Sequence, residues 1–134
     1  MGFLEKTKQI LLIILIGHLT ATISTPNTKI ATVLCNSGVF TAGDPFSISL
    51  NYILSELQSL TPSHPQKDFH NISPYPNAFA YGHAACTNNL TASDCTNCLR
   101  AANSAMFTTC VTRIGARAVL VDCTMRYEQY PFDD

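Results

Sequence analysis

Six cysteines are the residues of this sequence whose spacing points most clearly to chemistry. Three of them form a C-x8-C-x2-C pattern, and the full set is Cys35, Cys86, Cys95, Cys98, Cys110 and Cys123. Cysteines in such a pattern pair into disulfides, bind a tetrahedral zinc ion, or place a reactive thiolate at the start of a helix. The choice among these depends on the compartment that the chain enters, and the sequence does not fix which cysteines pair.

The amino-terminal segment predicts an oxidising compartment. Lys6 and Lys8 precede an apolar run over residues 10–16, and small residues follow. This layout is typical of a secretory signal peptide, and we expect residues 1–24 to be removed and residues 25–134 to form one domain. The apolar run is shorter than the ~20 residues that a membrane span requires, so we expect no stable membrane insertion.

Secretion favours three disulfides over zinc binding or thiol redox chemistry, because thiols pair in oxidising compartments. We therefore expect no metal and no cofactor. Two N-glycosylation sequons fit the same compartment and make Asn71 and Asn89 candidate glycosylation sites.

The charge of the chain excludes two classes of function. The formal net charge is −1, and loss of Lys6, Lys8 and Glu5 with the signal segment lowers it to −2. Proteins that bind nucleic acid or disrupt anionic membranes through charge need a dense positive surface. We therefore expect neither nucleic acid nor a membrane surface as the partner.

Two helices and several strands are predicted around these cysteines. Asp44 and Pro45 mark the start of an amphipathic helix that runs to about Leu60, and Thr91 begins a second helix that runs to about Thr112. Strands are predicted in four segments: 29–34, a short edge strand at 67–72, 78–86, and 117–128. The order lacks the regular strand-helix alternation of a parallel sheet, so we predict an α+β domain with two helices on an antiparallel sheet of about five strands.

The C-x8-C-x2-C pattern, with one cysteine in the second helix and one in the last strand region, resembles the ginkbilobin-type cysteine-rich secreted domain of plants. The resemblance covers nearly the whole chain after the signal segment, including segments 33–36, 80–86, 93–98, 114–117, 120–123 and 127–129. It implies three disulfides, Cys35–Cys110, Cys86–Cys95 and Cys98–Cys123. It also implies a defence protein of the apoplast with antifungal activity. The same domain occurs in receptor-like kinases and plasmodesmal proteins, so a protein-binding signalling module that ignores sugars is the alternative.

The resemblance further implies a mannose-binding site formed by Asn36, Arg117 and Glu128, with mannose or the mannan of fungal walls as partner. Adjacent sugar hydroxyls both donate and accept hydrogen bonds, which suits a carboxylate, a guanidinium and an amide. Without the resemblance, the residue types favour a surface ion pair and a turn asparagine. All three side chains are expected to be at least partly exposed, because a sugar must reach them.

Arg117 and Glu128 converge only if the chain folds back between them. A continuous strand would separate the two by roughly 36 Å, which no monosaccharide spans. A reversal near Asp122 and Cys123 would pair residue 117 with residue 128. Alternate residues would then sort into an apolar face and a polar face: Ala118, Leu120, Met125 and Tyr127 on the first, and Arg117, Thr124, Arg126 and Glu128 on the second. One continuous strand would also sort well, but we favour the reversal.

A catalytic function finds little support in the residue pattern. Polysaccharide hydrolysis needs two carboxylates about 5 to 10 Å apart, whereas Asp122 and Glu128 would lie about 20 Å apart on one strand. His64, His70 and His83 have no sequence context that pairs them with a nucleophile, so surface or packing roles are expected for them. We therefore predict a binding protein and not an enzyme.

Overall fold

A computed structural model describes residues 24–134. Five strands, β1 (Ile30–Cys35), β2 (Asp68–Ile72), β3 (Tyr81–Cys86), β4 (Gly115–Leu120) and β5 (Cys123–Glu128), form one sheet with two helices, α1 (Pro45–Leu60) and α2 (Ala92–Thr109). The strand order is β1-β4-β5-β3-β2, and every neighbouring pair is antiparallel. The predicted α+β architecture is confirmed. The predicted signal peptide lies outside the described residues except for Ser24.

Helix α1 begins where the sequence predicts. The Asp44 side chain accepts a hydrogen bond from the Ser47 amide at 3.1 Å, and Pro45 occupies the first turn. Its buried face carries Phe46, Leu50, Ile53 and Leu57 at helical spacing. This face packs against β2 and β3.

Helix α2 begins at the Thr91 cap, whose hydroxyl accepts from the Asp94 amide at 3.0 Å. The prediction that it runs to about Thr112 is wrong by three residues, because Cys110 leaves the helical conformation and Thr112 has a positive φ of 50°. Cys110 is instead bonded to Cys35 at the end of β1. The disulfide thus fixes the edge strand β1 to the end of the helix.

The core lies between the two helices and one face of the sheet, which is called the inner face below. Three small strand residues, Ala84, Ala116 and Ala118, are almost fully buried in it. The larger Met125 and Tyr127 of β5 are buried beside them. Small side chains on the strands allow the helices to approach the sheet closely. Within residues 24–134 no helix is long and apolar enough to cross a membrane.

All six cysteines are paired, as Cys35–Cys110, Cys86–Cys95 and Cys98–Cys123. This is the pairing that the resemblance implies. Two of the bonds join α2 to strands of the sheet, through Cys95 and Cys98, and their partners Cys86 and Cys123 lie directly opposite each other on neighbouring strands. The disulfides therefore fix the helical layer to the sheet.

Candidate functional site

The face of the sheet opposite the helices carries the predicted sugar-binding residues. This outer face is formed by alternate residues of the strands, with Arg117 on β4 and both Arg126 and Glu128 on β5. The apolar residues predicted for the other face, Ala118, Leu120, Met125 and Tyr127, are all buried in the core. The predicted fold-back between residues 117 and 128 is therefore confirmed, and so is the sorting of the two faces.

The register of this hairpin differs from the prediction. Arg117 pairs with Arg126, and Gly115 pairs with Glu128, so the expected pairing of 117 with 128 is wrong by two residues. The turn lies at Val121 and Asp122, one residue earlier than expected. This position keeps Cys123 within β5, where it bonds to Cys98 below the sheet. A shift of two residues leaves every side chain on its predicted face.

Asn36 and Glu128 are brought together by the sheet. Asn36 follows β1, and its backbone N–H donates to the backbone carbonyl of Gly115 on β4 at 2.9 Å. Its side-chain Oδ1 accepts from the Gly38 amide at 2.9 Å, which turns Nδ2 towards Glu128 Oε2 at 3.4 Å. Arg113 donates from Nη1 to the Asn36 carbonyl at 3.0 Å. The Asn36 side chain is thus held in one orientation by its own turn.

Arg117 lies on the same face but contacts neither Asn36 nor Glu128 directly. It is two residues along β4 from Gly115, which makes it a diagonal neighbour of Glu128, at a typical Cβ separation of about 7 to 8 Å. Its side chain is 44% exposed, and Nη1 lies 4.0 Å from Asp134 Oδ1. The guanidinium therefore remains accessible beside the Asn36–Glu128 pair.

The expectation that all three side chains are exposed is wrong for Glu128, which is only 6% exposed. Its carboxylate lies directly over Gly115, where a Cβ atom would overlap it. Asn36 and Arg126 flank the two carboxylate oxygens, with Arg126 Nε 3.4 Å from Oε1. Glu128 is buried because the residue opposite it on β4 has no side chain.

Arg126 and Asp134 also belong to this site, although neither was among the residues predicted for it from the sequence. Arg126 Nη1 donates to Asp134 Oδ1 at 2.7 Å, and the Phe132 ring lies 4.0 Å from the guanidinium carbon. Alternation along β5 places Arg126 beside Glu128, which was the available signal. The contact with Asp134 depends on the path of the chain after β5, which no sequence pattern gives.

Charge coupling in this cluster is visible in the pKa values. Burial lowers the pKa of Arg126, but the carboxylates of Asp134 and Glu128 outweigh it and leave that pKa raised. Burial raises the pKa of Asp134, but Arg126, His83 and Arg117 outweigh it and leave that pKa lowered. On the inner face, burial and then the charge of Glu128 raise the pKa of Tyr127 to about 12. The outer face thus alternates fixed positive and negative groups.

The two sequons lie in different surroundings. Asn89 is exposed in the turn between β3 and α2, whereas Asn71 is half-buried within β2. Ser73 of the first sequon is buried, and its hydroxyl accepts from the Ala80 amide at 2.9 Å.

Comparison with known families gives a match over most of the described chain. The family described as salt stress response/antifungal matches residues 34–130. This chain belongs to that family. The family description and the names of the ginkbilobin relatives fit a plant defence protein, since they refer to antifungal action and stress response.

Several relatives of this family are similar in sequence over most of their length. The antifungal protein ginkbilobin-2 of Ginkgo biloba is 34% identical over 108 residues, which cover 79% of this chain and 80% of that protein. An antifungal ginkbilobin-like protein of Picea abies is 33% identical and is covered over 99% of its length, with 80% of this chain covered. The ginkbilobin-type resemblance is therefore confirmed.

Solved structures of the same fold come from receptor-like proteins of Arabidopsis thaliana. The tandem DUF26 ectodomain of the cysteine-rich receptor-like protein PDLP5 matches 78% of this chain with a TM-score of 0.71 at 19% identity. The corresponding ectodomain of PDLP8 matches 77% of this chain with a TM-score of 0.63 at 26% identity. This chain spans 51% and 45% of those two ectodomains, about half of each tandem structure.

Proposed function

We propose that this chain is a secreted plant defence protein that acts against fungi by binding mannose through Asn36, Arg117 and Glu128. The observation that carries the proposal is the 3.4 Å contact between Asn36 Nδ2 and Glu128 Oε2, beside the exposed guanidinium of Arg117. The antifungal names of the ginkbilobin relatives support the biological role. The paired cysteines and the match to ectodomains support an extracellular location, the apoplast.

The arrangement suits a pair of neighbouring sugar hydroxyls. Glu128 offers acceptors, Asn36 offers a donor held in place by Gly38, and Arg117 offers a fork of donors that reaches solvent. Each hydrogen bond contributes about 1 kcal/mol net, so one sugar binds with roughly millimolar affinity. Tight attachment then needs the many mannose units of a fungal wall, since repeated sites raise the effective concentration.

Binding of the folded protein to immobilised mannan tests this proposal. Arg117→Ala and Glu128→Gln should each weaken binding about tenfold or more, because each removes a charged hydrogen-bonding group. Arg100→Ala is the matched control, since Arg100 is an exposed arginine on α2, away from the outer face. Free mannose should compete for the parent protein, and inhibition of fungal growth should fall in the same variants.

The glutamine variant is chosen because Glu128 is buried, so an alanine there would leave a cavity beside Arg126. Arg117→Ala should change the stability by less than about 0.5 kcal/mol, since the side chain is exposed. Equal mannan binding by the parent and both variants, each with a normal melting curve, would refute the mannose site.

The second candidate is a protein-binding signalling module that ignores sugars. It is favoured by one observation, the match of the fold to ectodomains of receptor-like proteins. A glycan array separates the two candidates, because the lectin should bind mannose-containing glycans selectively. Binding to none of the glycans, together with unchanged antifungal or signalling activity in Arg117→Ala, would favour the signalling module.

A further inference from the structure

Strands β2 and β3 place two histidines side by side on the outer face. His70 and His83 are directly opposite each other in the antiparallel register. Their rings are stacked, with centroids 3.8 Å apart and an angle of 4° between the planes. Because the rings are parallel, the lone pairs of their nitrogens run side by side, and both nitrogens reach a common ion only after a ring rotation, which the exposed His70 permits.

Asp68 adds a carboxylate at the same point. Its Oδ1 lies 2.8 Å from His83 Nε2 and 3.9 Å from His70 Nε2. The candidate ligand atoms of Asp68, His70 and His83 all lie within 4.8 Å of one another. Tetrahedral zinc with bonds of about 2.0 to 2.1 Å sets its ligand atoms roughly 3.3 Å apart. The two observed distances lie on either side of that value, so zinc coordination requires rotations of the side chains, which the exposed Asp68 and His70 can make.

His83 has a carboxylate at each of its two ring nitrogens. Its Nδ1 lies 3.3 Å from Asp134 Oδ2, opposite the contact of Nε2 with Asp68. A neutral imidazole has a single N–H, so it can donate to only one of the two carboxylates. If Nδ1 donates to Asp134, the Nε2 lone pair faces Asp68 Oδ1, and a cation bound to both atoms satisfies both once they separate from 2.8 Å to the roughly 3.3 Å that zinc coordination sets.

Donation from both ring nitrogens of His83 would satisfy the two carboxylates equally well, and the zinc titration below distinguishes that arrangement from a bound ion. A metal ion uses all three ligand atoms. A carboxylate behind a ligating histidine is moreover the usual arrangement in metal sites, where it fixes the tautomer and the orientation of the ring. Asp134 holds that position here, and Arg126 holds Asp134 in turn at 2.7 Å.

Exposure of the three side chains fits an ion that enters from solvent. The His83 side chain is 10% exposed and is fixed within the sheet, whereas those of His70 and Asp68 are 54% and 49% exposed. The open side leaves room for water as a fourth ligand. Two imidazoles and one carboxylate favour Zn²⁺ and similar transition metals over Ca²⁺ and Mg²⁺, which prefer oxygen ligands.

We propose that Asp68, His70 and His83 bind one Zn²⁺ ion, with Asp134 as the positioning residue for His83. This proposal departs from the sequence-based expectation of no metal, which rests on the cysteines, and from the surface or packing roles expected for His70 and His83. The three ligands are separate from Asn36, Arg117 and Glu128, but Asp134 also contacts Arg126 and lies 4.0 Å from Arg117, so the ligand variants at Asp68 and His70 are the ones that separate zinc binding from mannose binding.

Zinc titration of the chelator-treated, disulfide-bonded protein by isothermal calorimetry tests the proposal. One Zn²⁺ should bind per chain, and excess Ca²⁺ should not compete. His70→Ala and Asp68→Asn should each weaken binding more than tenfold, and Asp134→Asn should weaken it by about 10- to 100-fold. His64→Ala is the matched control, because His64 is an exposed histidine outside the cluster and should leave the affinity unchanged.

Nuclear magnetic resonance locates the ion independently. Zinc should shift the ring resonances of His70 and His83 but not those of His64. His70→Ala removes an exposed side chain and should fold normally, which a melting curve checks. Absence of saturable zinc binding by the parent, unchanged affinity in His70→Ala, or equal loss in His64→Ala would each overturn the proposal.

Discussion

Gly115 is the residue that creates the position occupied by Glu128. Because a Cβ at 115 would overlap the carboxylate, Gly115→Ala should displace Glu128 from Asn36 and Arg126. The displaced group is the end of a side chain that can move, so the stability should fall little. If Glu128 binds mannose, binding to mannan should fall by about as much as in Glu128→Gln.

Gly82→Ala is the control for adding a methyl group to the same sheet. Its Cβ would meet Ile53 and Leu57 on the inner face, so it should lower the stability by about 1 to 3 kcal/mol and leave mannan binding in the folded protein unchanged. Denaturant unfolding and mannan binding are measured for both variants. Unchanged binding in Gly115→Ala, or equal loss in both variants, would contradict the assignment of Gly115 as the support for Glu128.

Tyr127 should make the protein sensitive to alkaline pH. Burial and the charge of Glu128 raise the pKa of Tyr127 to about 12, whereas an unfolded tyrosine has a pKa of about 10. Between these values the unfolded chain releases the phenol proton and the folded protein keeps it. The associated stability is therefore complete below about pH 10 and is lost as the pH rises to about 12, by about 2 to 3 kcal/mol.

Urea unfolding at a series of pH values checks this. Tyr127→Phe should be less stable at pH 7 by about 1 kcal/mol, because it loses the hydrogen bond from the phenol to the Arg113 carbonyl at 3.0 Å. It should also lose much less stability than the parent between pH 10 and pH 12. Tyr130→Phe, at an exposed tyrosine, should keep the parental pH profile. A parental profile in Tyr127→Phe would show that other groups cause the alkaline loss.

At the scale of the elements, the caps that the sequence predicts for both helices are present. Asp44 accepts hydrogen bonds from the amides of Ser47 and Thr41 at 3.1 and 3.2 Å, so Asp44→Ala should destabilise the protein by about 1 kcal/mol. Asp133→Ala is the control, because Asp133 is an exposed aspartate far along the chain from α1. Equal unfolding midpoints in the two variants would show that α1 does not depend on this cap.

How far the sequence predicts each element depends on whether the signal is local. The start of α1 follows from Asp44 and Pro45 themselves, and alternation along residues 117–128 is enough to assign the two faces of the hairpin. Alternation cannot assign the register, because a shift of two residues gives the same faces. The register becomes clear only when Cys123 must reach Cys98, which is a contact between distant parts of the chain.

The same limit applies to the two proposed sites. The resemblance supplied Asn36, Arg117 and Glu128, but the burial of Glu128 depends on Gly115 in the neighbouring strand. His70 and His83 are far apart in sequence, and only the pairing of β2 with β3 places their rings together. Contacts that cross strands decide which polar residues act together, and no periodic pattern records them.

At the scale of the whole molecule, the disulfides differ in how much chain they close and in what they hold. Cys35–Cys110 spans 75 residues and holds the edge strand β1 against α2, whereas Cys86–Cys95 spans 9 residues. Restriction of the unfolded chain by loop closure contributes about 4.5 kcal/mol for the first bond and about 2.6 kcal/mol for the second. The double variant Cys35→Ala/Cys110→Ala should therefore be less stable than the double variant Cys86→Ala/Cys95→Ala.

Removal of these two disulfides should also differ in its effect on mannan binding. Asn36 follows Cys35 directly, so freeing the end of β1 should release Asn36 from Glu128 and weaken mannan binding if the mannose site is correct. Cys86→Ala/Cys95→Ala removes the bond between the end of β3 and the first turn of α2, at the other end of β3 from Glu128, and should bind mannan normally below its melting temperature. Denaturant unfolding and mannan binding are measured on both double variants.

If the Cys86–Cys95 variant were the less stable, loop length would not determine how much each disulfide contributes to stability. If the Cys35–Cys110 variant still bound normally, the turn at Gly38 and the backbone bond to Gly115 would suffice to position Asn36.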